Sequence, residues 1–231
     1  MSRILCISDT HYPFSVEGFE NFAYKMYQKY KCDTVVHLGD LVDNHAIDSH
    51  HEPEPDAKDA NTELDEAIAK ARKLYKLFPK VKLVLGNHDL RILKAAAKAK
   101  LTSRMVVPFR DLLQLPKGWE VADEYVIDDV KYVHIPYGSG AIAQRTTAEK
   151  EMQSVVHGHL HSFSGISYIA NSNTLVWGMN VGCGIDRTAY SMRYGSQMKN
   201  KPTISCGIVI DGMPYIEIMK LGSKFVRKTT K

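Results

Sequence analysis

Five short stretches of the chain gather carboxylate, imidazole and amide side chains: Asp9-Thr10-His11, Gly39-Asp40-Leu41-Val42-Asp43, Gly86-Asn87-His88-Asp89, the single His134, and Gly158-His159-Leu160-His161. Donors of these kinds bind zinc, manganese, iron or related divalent ions, whereas a thiolate-seeking site would recruit the cysteines. In a D-x-H or H-x-H pair both side chains point to the same side of an extended strand end. Asp9 with His11, and His159 with His161, can therefore each grip an ion from one backbone segment. The set suits two ions, and two ions need a carboxylate that bridges them. Glycines 39, 86 and 158 permit tight turns that lift ligands clear of a sheet.

Such clusters act together only if the fold brings them to one place. Residues 3–8 read as an apolar strand that ends in Asp9, and 17–31 carry Phe19, Phe22, Ala23, Met26, Tyr27 and Tyr30 at helical spacing. The pattern repeats with a strand over 34–38, an amphipathic helix over 63–78 and a strand over 81–85. This β-α-β-α-β order predicts a parallel sheet covered by helices, an α/β fold whose binding site forms at the carboxyl ends of the strands. All five clusters follow predicted strands. Helices are expected over 90–101, 109–115 and 141–152. The second half is otherwise strand-rich, with a hairpin of 121–127 and 131–135 and strands over 155–157, 165–169, 175–177, 204–210 and 215–219. Two stretches, 44–61 and 188–202, lack periodicity, as lids and binding loops often do.

The motifs D-x-H, G-D-x-x-D, G-N-H-D and G-H-x-H, in this order from Asp9 to His161, resemble those of the calcineurin-like metallophosphoesterase superfamily, in particular its small bacterial and bacteriophage members. The resemblance implies a four-layer αββα sandwich with two mixed β-sheets flanked by helices, filling 1–222 as one domain. It implies two divalent metal ions, manganese foremost, with zinc, iron, nickel or cobalt also accepted by such ligands. Asp9, His11 and His161 would hold the first ion, Asn87, His134 and His159 the second, and Asp40 would bridge. His88 and Asp43 would form a catalytic dyad in which Asp43 orients the imidazole. Two ions about 3.5–4 Å apart clamp a phosphoryl group, acidify a bridging water to hydroxide and neutralise charge in an in-line displacement. A histidine outside the metal shell can then protonate the leaving alkoxide. The chain departs from the phosphoprotein phosphatases of the superfamily at Asn44-His45, where they place an arginine that grips phosphate. His134 also lacks the glycine that often follows the middle histidine of the family.

A phosphodiesterase acting on nucleic acid or nucleotides is therefore the expected function. A phosphomonoesterase, of nucleotides or phosphoproteins, is the alternative enzyme. A catalytically silent scaffold that binds a protein partner is the alternative class, and its signature, loss of ligands or of the dyad histidine, is absent. Arg91 starts a predicted helix beside the site and can reach a substrate phosphate or serve as a surface charge. His45, with His50 and His51, lies in a polar loop as a solvated or substrate-contacting group. His157 is expected to pack or hydrogen-bond within its strand. The acids at 52, 54, 56 and 59 read as a solvated loop, and the aromatic and basic residues of 190–198 as a lid, a subunit contact or a strand-binding surface.

A chain of 231 residues can bury a substantial single core. Its 44% hydrophobic and 24% charged content is that of a globular domain, and no apolar run reaches membrane-spanning length. The four cysteines form no C-x-x-C pair, which argues for reduced, buried thiols. The apolar run at 4–7 is too short for a signal peptide, so a cytoplasmic location is expected, in the host if the chain is phage-encoded. A net charge of +4 is mild and concentrates in a basic tail at 223–231 that is expected to be disordered.

Overall fold

A computed structural model describes residues 1–48, 57–189, 191 and 201–221. Its eleven strands form two mixed sheets. The first sheet contains β1 (Arg3–Ile7), β2 (Thr34–His37), β3 (Lys80–Val84), β4 (Gly118–Ala122), β10 (Ser205–Ile210) and β11 (Met213–Ile218), in the order β11-β10-β1-β2-β3-β4. Strands β1 to β4 run parallel, and β10 and β11 are antiparallel additions at one edge. The second sheet contains β5 (Tyr125–Ile127), β6 (Val130–Val133), β7 (Ser154–His157), β8 (Gly165–Ala170) and β9 (Leu175–Asn180), in the order β5-β6-β7-β9-β8.

Side-chain alternation along the strands builds the layers. On β1, Leu5 and Ile7 join an apolar cluster with Phe19, Ala23 and Met26 of α1 (Phe19–Lys29) and Ala67, Ile68, Ala71 and Leu74 of α2 (Ala60–Leu77). The intervening Ile4 and Cys6 face the other way and meet Tyr132, Val156, Trp177 and Met179 of the second sheet. Helix α5 (Ala143–Glu151) covers the far side of that sheet, against β7, β8 and β9. The sequence of layers is α, β, β, α. All four cysteines are free and buried. No helix among the described residues is long and apolar enough to cross a membrane.

Two expectations change. The segment 121–127 is two strands in different sheets. Gly118–Ala122 pairs in parallel with β3, the chain leaves that sheet at the exposed Asp123-Glu124, and Tyr125–Ile127 pairs antiparallel with β6. The exposed Asp123-Glu124 pair that interrupts the apolar residues is the sequence mark of this change of sheet. Helix α2 also starts earlier than Glu63, because Asp59 caps it by accepting hydrogen bonds from the Asn61 and Thr62 N–H groups. Of the aperiodic stretch 44–61, residues 45–47 form a short 3₁₀ turn. His50, His51, Glu52, Glu54 and Asp56, most of the 190–198 segment and the tail at 223–231 lie outside the described residues.

Candidate metal centre

Strands of both sheets deliver their carboxyl ends to one rim. The first sheet supplies Asp9 and His11 after β1, Asp40 and Asp43 after β2, and Asn87 and His88 after β3. The second supplies His134 after β6, and His159 and His161 after β7. Asp9, His11, Asp40 and His159 all take positive φ, at 51°, 46°, 50° and 70°. Residues other than glycine hold such backbone only where the surroundings impose it. The glycines act differently from the sequence expectation: only Gly39, at φ +94°, serves a left-handed turn, while neither Gly86 nor Gly158 has positive φ. These two allow close approach instead. A Cβ on Gly86 would stand 2.1 Å from Asp40 Oδ1 and 2.3 Å from the Asp40 backbone nitrogen, and one on Gly158 would stand 1.9 Å from Ser8 Oγ. Because the clash at Gly86 involves backbone, Gly86→Ala is expected to cost about 1–3 kcal/mol, measured by urea unfolding, and to displace the Asp40 carboxylate.

The side chains form two donor groups that share Asp40. One contains Asp9, His11, Asp40 and His161, and the other Asp40, His134 and His159, while a third group, His11, Asp43 and His88, does not include Asp40. His161 Nε2 is 3.0 Å from Asp9 Oδ1 and 3.1 Å from His11 Nε2. His134 Nε2 is 3.1 Å from both Asp40 Oδ2 and Asn87 Oδ1. The protons of His134 can be placed, since its Nδ1 lies 2.7 Å from the Leu38 carbonyl oxygen, which can only accept. In neutral His134 the Nε2 lone pair therefore faces two other acceptors, Asp40 Oδ2 and Asn87 Oδ1. Asp40 Oδ2 is buried without a hydrogen-bond partner. With His134 neutral, three acceptors converge and suit a cation; with no cation, a proton on His134 Nε2 takes its place.

The electrostatics agree. Burial would raise the Asp9 and Asp43 carboxyls, yet hydrogen bonds from His11 and His161 to Asp9, and from His11 and His88 to Asp43, hold both well below the usual carboxylate range. Asp40 is likewise lowered against burial, chiefly by His134. Burial pulls His11 and His134 down, but the carboxylates overcome it and lift them to about 10 and about 9. Without a cation, the carboxylates hold protons on these imidazoles, and a divalent ion would displace them.

His88 stands at the edge of the donor groups, with its ring edge-on to that of His11 at a centroid separation of 4.5 Å. Its Nδ1–H donates to the Asp43 carbonyl oxygen at 2.8 Å and lies 3.2 Å from Asp43 Oδ1, which leaves Nε2 without a role in the fold. Arg91 lies behind this pair. Its guanidinium donates to the Asp43 carbonyl at 2.9 Å, to Asp43 Oδ1 at 3.2 Å and to Asp48 Oδ2 at 2.8 Å, so it braces the dyad carboxylate. His45 belongs to none of the donor groups, and its backbone N–H donates to Glu63 Oε1 at 2.7 Å. Asn44, in the place of the phosphatase arginine, spends its amide on the His88 carbonyl at 3.0 Å. His157 is buried, with Nδ1 bonded to the Gly158 carbonyl at 2.7 Å.

Sequence reasoning passed over three residues that hold the rim in shape. Asp89 accepts from Leu41 and Val42 N–H through Oδ1, at 3.0 and 3.3 Å, and from Gly86 N–H through Oδ2 at 2.9 Å, which ties the loops after β2 and β3 together. Burial and the neighbouring Asp40 push its carboxyl up to about 7. His37 accepts from Gly39 N–H at Nδ1, so its Nε2–H donates to Thr10 Oγ1 at 3.1 Å. Glu63, the first residue of the helix expected over 63–78, is buried and accepts from the His45 and Ala46 N–H groups. None of the three stands apart in sequence, because each has a hydrogen-bond partner in a distant segment: Leu41 and Val42 for Asp89, Thr10 for His37, His45 and Ala46 for Glu63.

Burial pushes the Glu63 carboxyl from 4.5 up to about 7, against the pull of the Ala46 and His45 N–H groups. Folding then favours the protonated acid, so its contribution is complete below the unfolded value and is lost as pH rises through about 7. Chelator-treated protein is expected to lose on the order of 3 kcal/mol across this window through Glu63. Urea unfolding at several pH values should show that much less pH dependence in Glu63→Gln.

A family model described as calcineurin-like phosphoesterase matches residues 2–175. Comparison with curated proteins finds no match. Among solved structures, the chain is similar to vacuolar protein sorting 29 from Cryptosporidium parvum, with a TM-score of 0.47 at 11% identity over 94% of this chain and 96% of that one. It is also similar to the phosphoesterase Yfce from E. coli, with a TM-score of 0.45 at 16% identity over 90% and 88%. A third is the nuclease MPE from Pseudomonas putida, with a TM-score of 0.40 at 15% identity over 93% and 87%. The family match covers most of the chain and spans every motif from Asp9 to His161, so this chain belongs to the calcineurin-like phosphoesterases.

Proposed function

We propose that this protein is a hydrolase of phosphodiesters that works with two divalent ions. Asp9, His11 and His161 hold one ion, Asn87, His134 and His159 hold the other, and Asp40 bridges them. The observation that carries this reading is the Asp40 carboxylate, which belongs to both donor groups and whose Oδ2 has no hydrogen-bond partner, with His134 Nε2 3.1 Å from that oxygen and from Asn87 Oδ1. The bound ions, manganese in the first place, supply Lewis acidity toward a phosphoryl oxygen and toward water. The chain's own part is positioning and proton transfer. Asp43 orients the His88 imidazole through Nδ1, so that Nε2 can hand a proton to the leaving oxygen. Arg91 steadies Asp43 in turn. Asn44, occupied with the His88 carbonyl, offers no guanidinium for the second charge of a monoester, which favours the singly charged diester.

Chelated protein reconstituted with manganese and given bis-p-nitrophenyl phosphate and p-nitrophenyl phosphate tests the reading. Diester turnover above monoester turnover is expected. The reverse order would make the protein a phosphomonoesterase, and metal uptake without turnover of either would make it a scaffold.

A further inference from the structure

The segment 90–110 carries Arg91, Lys94, Lys98, Lys100, Arg104 and Arg110 and contains no acid. Part of it is α3 (Arg91–Lys98), where Arg91, Lys94 and Lys98 fall at spacings of three and four and so share one face. Along this face runs a cavity of about 470 Å³, lined by Arg91, Lys94, Lys98, Ile47, Asp48 and Asn87. Asn87 is the proposed metal ligand, so the cavity begins at the reaction centre and leads away from it. The charge of Arg91 is met by Asp43 and Asp48. Lys94 and Lys98 are both exposed along this face, so cationic side chains border the cavity beyond Arg91.

A second cavity of about 500 Å³ abuts the first, and the two share Ile47 and Ala95. Its walls are apolar, with Leu64, Ile92, Ala96 and Leu101 among them, and Asn44, Asn61 and Glu63 provide polar groups. Its size and mixture of surfaces suit a small planar ring system.

We infer that α3 is a guide for single-stranded polynucleotide: phosphates on one side of the scissile bond follow Lys94 and Lys98, and an unpaired base enters the adjoining apolar cavity. This rests on the diesterase reading and narrows its substrate from any phosphodiester to a strand. A compact diester reaches only the metal centre, whereas a strand also reaches the lysines. A paired base cannot turn into the apolar cavity, so duplex is excluded from half of the site.

The test uses the full chain. Fluorescence anisotropy of labelled oligothymidylate on chelator-treated protein measures binding apart from catalysis. The double variant Lys94→Glu/Lys98→Glu is expected to weaken binding at least about tenfold at low salt and to flatten the log-log salt dependence by about 1–2. Lys94→Gln/Lys98→Gln should give a smaller change in the same direction. On manganese-loaded protein, the ratio of kcat/KM for oligonucleotide to that for bis-p-nitrophenyl phosphate should fall in parallel. An equal proportional loss on both substrates, or unchanged anisotropy, overturns the inference. Equal binding of duplex or of inorganic polyphosphate also overturns it, since charge alone would then suffice. Lysine-dependent binding with no hydrolysis of any diester would support the guide and refute the diesterase reading.

Discussion

Asp40→Ala is expected to empty both metal positions at once. The Asp40 carboxylate belongs to both donor groups, and its Oδ1 also accepts the His88 backbone N–H at 2.8 Å, which joins the loops after β2 and β3. Loss of a residue that only orients a ligand lowers metal affinity roughly 10–100-fold, and loss of a shared ligand should exceed that. Calorimetric titration with manganese and elemental analysis should therefore find neither ion retained, and phosphoesterase turnover should vanish with them. The fold itself should persist. Removing Asp40 takes away a charge that raises Asp89 but also strips His134 and the His88 N–H of their carboxylate partner, so the apo variant should be folded yet less stable than the apo parent. One ion retained at full affinity would show that Asp40 is not a bridge.

His88→Ala separates chemistry from metal binding. His88 belongs to neither group that shares Asp40, and its Nδ1 bond to Asp43 is replaceable by solvent at a half-buried position. Metal content should equal that of the parent while kcat falls by about 10²–10⁴, the usual weight of a general acid. The loss should be smaller for a diester with a good leaving group such as p-nitrophenolate than for one with an alkoxide, because the better leaving group needs less protonation. Parent-level kcat on the alkoxide diester would sink the dyad assignment. Asp43→Asn is a less clean probe, since Asp43 also faces His11 at 3.5 Å and receives Arg91.

The convergence of the donor residues was legible because strand ends converge in an α/β sheet. D-x-H and H-x-H themselves lie just past their strands, where left-handed backbone at Asp9, His11 and His159, and not strand alternation, aims them. The α-β-β-α layering came from the motif order rather than from periodicity, which by itself pointed to a single parallel sheet. Contacts between distant segments were not legible. Arg91 read as a free cation, yet its partners Asp43 and Asp48 lie more than forty residues earlier in the chain. Asp89 read as the last letter of a motif, yet it works as a staple on the backbone of Leu41 and Val42. The glycines were correctly marked as special for a reason that holds only at Gly39, because what Gly86 and Gly158 must avoid is an atom of another loop.

The donors are drawn from two sheets that meet across an apolar interface and, at the rim, through hydrogen bonds such as His134 Nδ1 to the Leu38 carbonyl and His159 N–H to Asp9 Oδ2. Ions bound across that seam, as proposed, would act as rivets. At a hundredfold excess over its dissociation constant, each would add about 2.7 kcal/mol to folding, and the melting temperature should climb steadily with added manganese and drop on chelation. In a cell this makes the lifetime of the protein a function of ion supply, since a starved population opens more often along the seam and meets proteases sooner. Scarcity would then remove inactive copies as well as silence them, and the amount of enzyme would track the ion on which it runs.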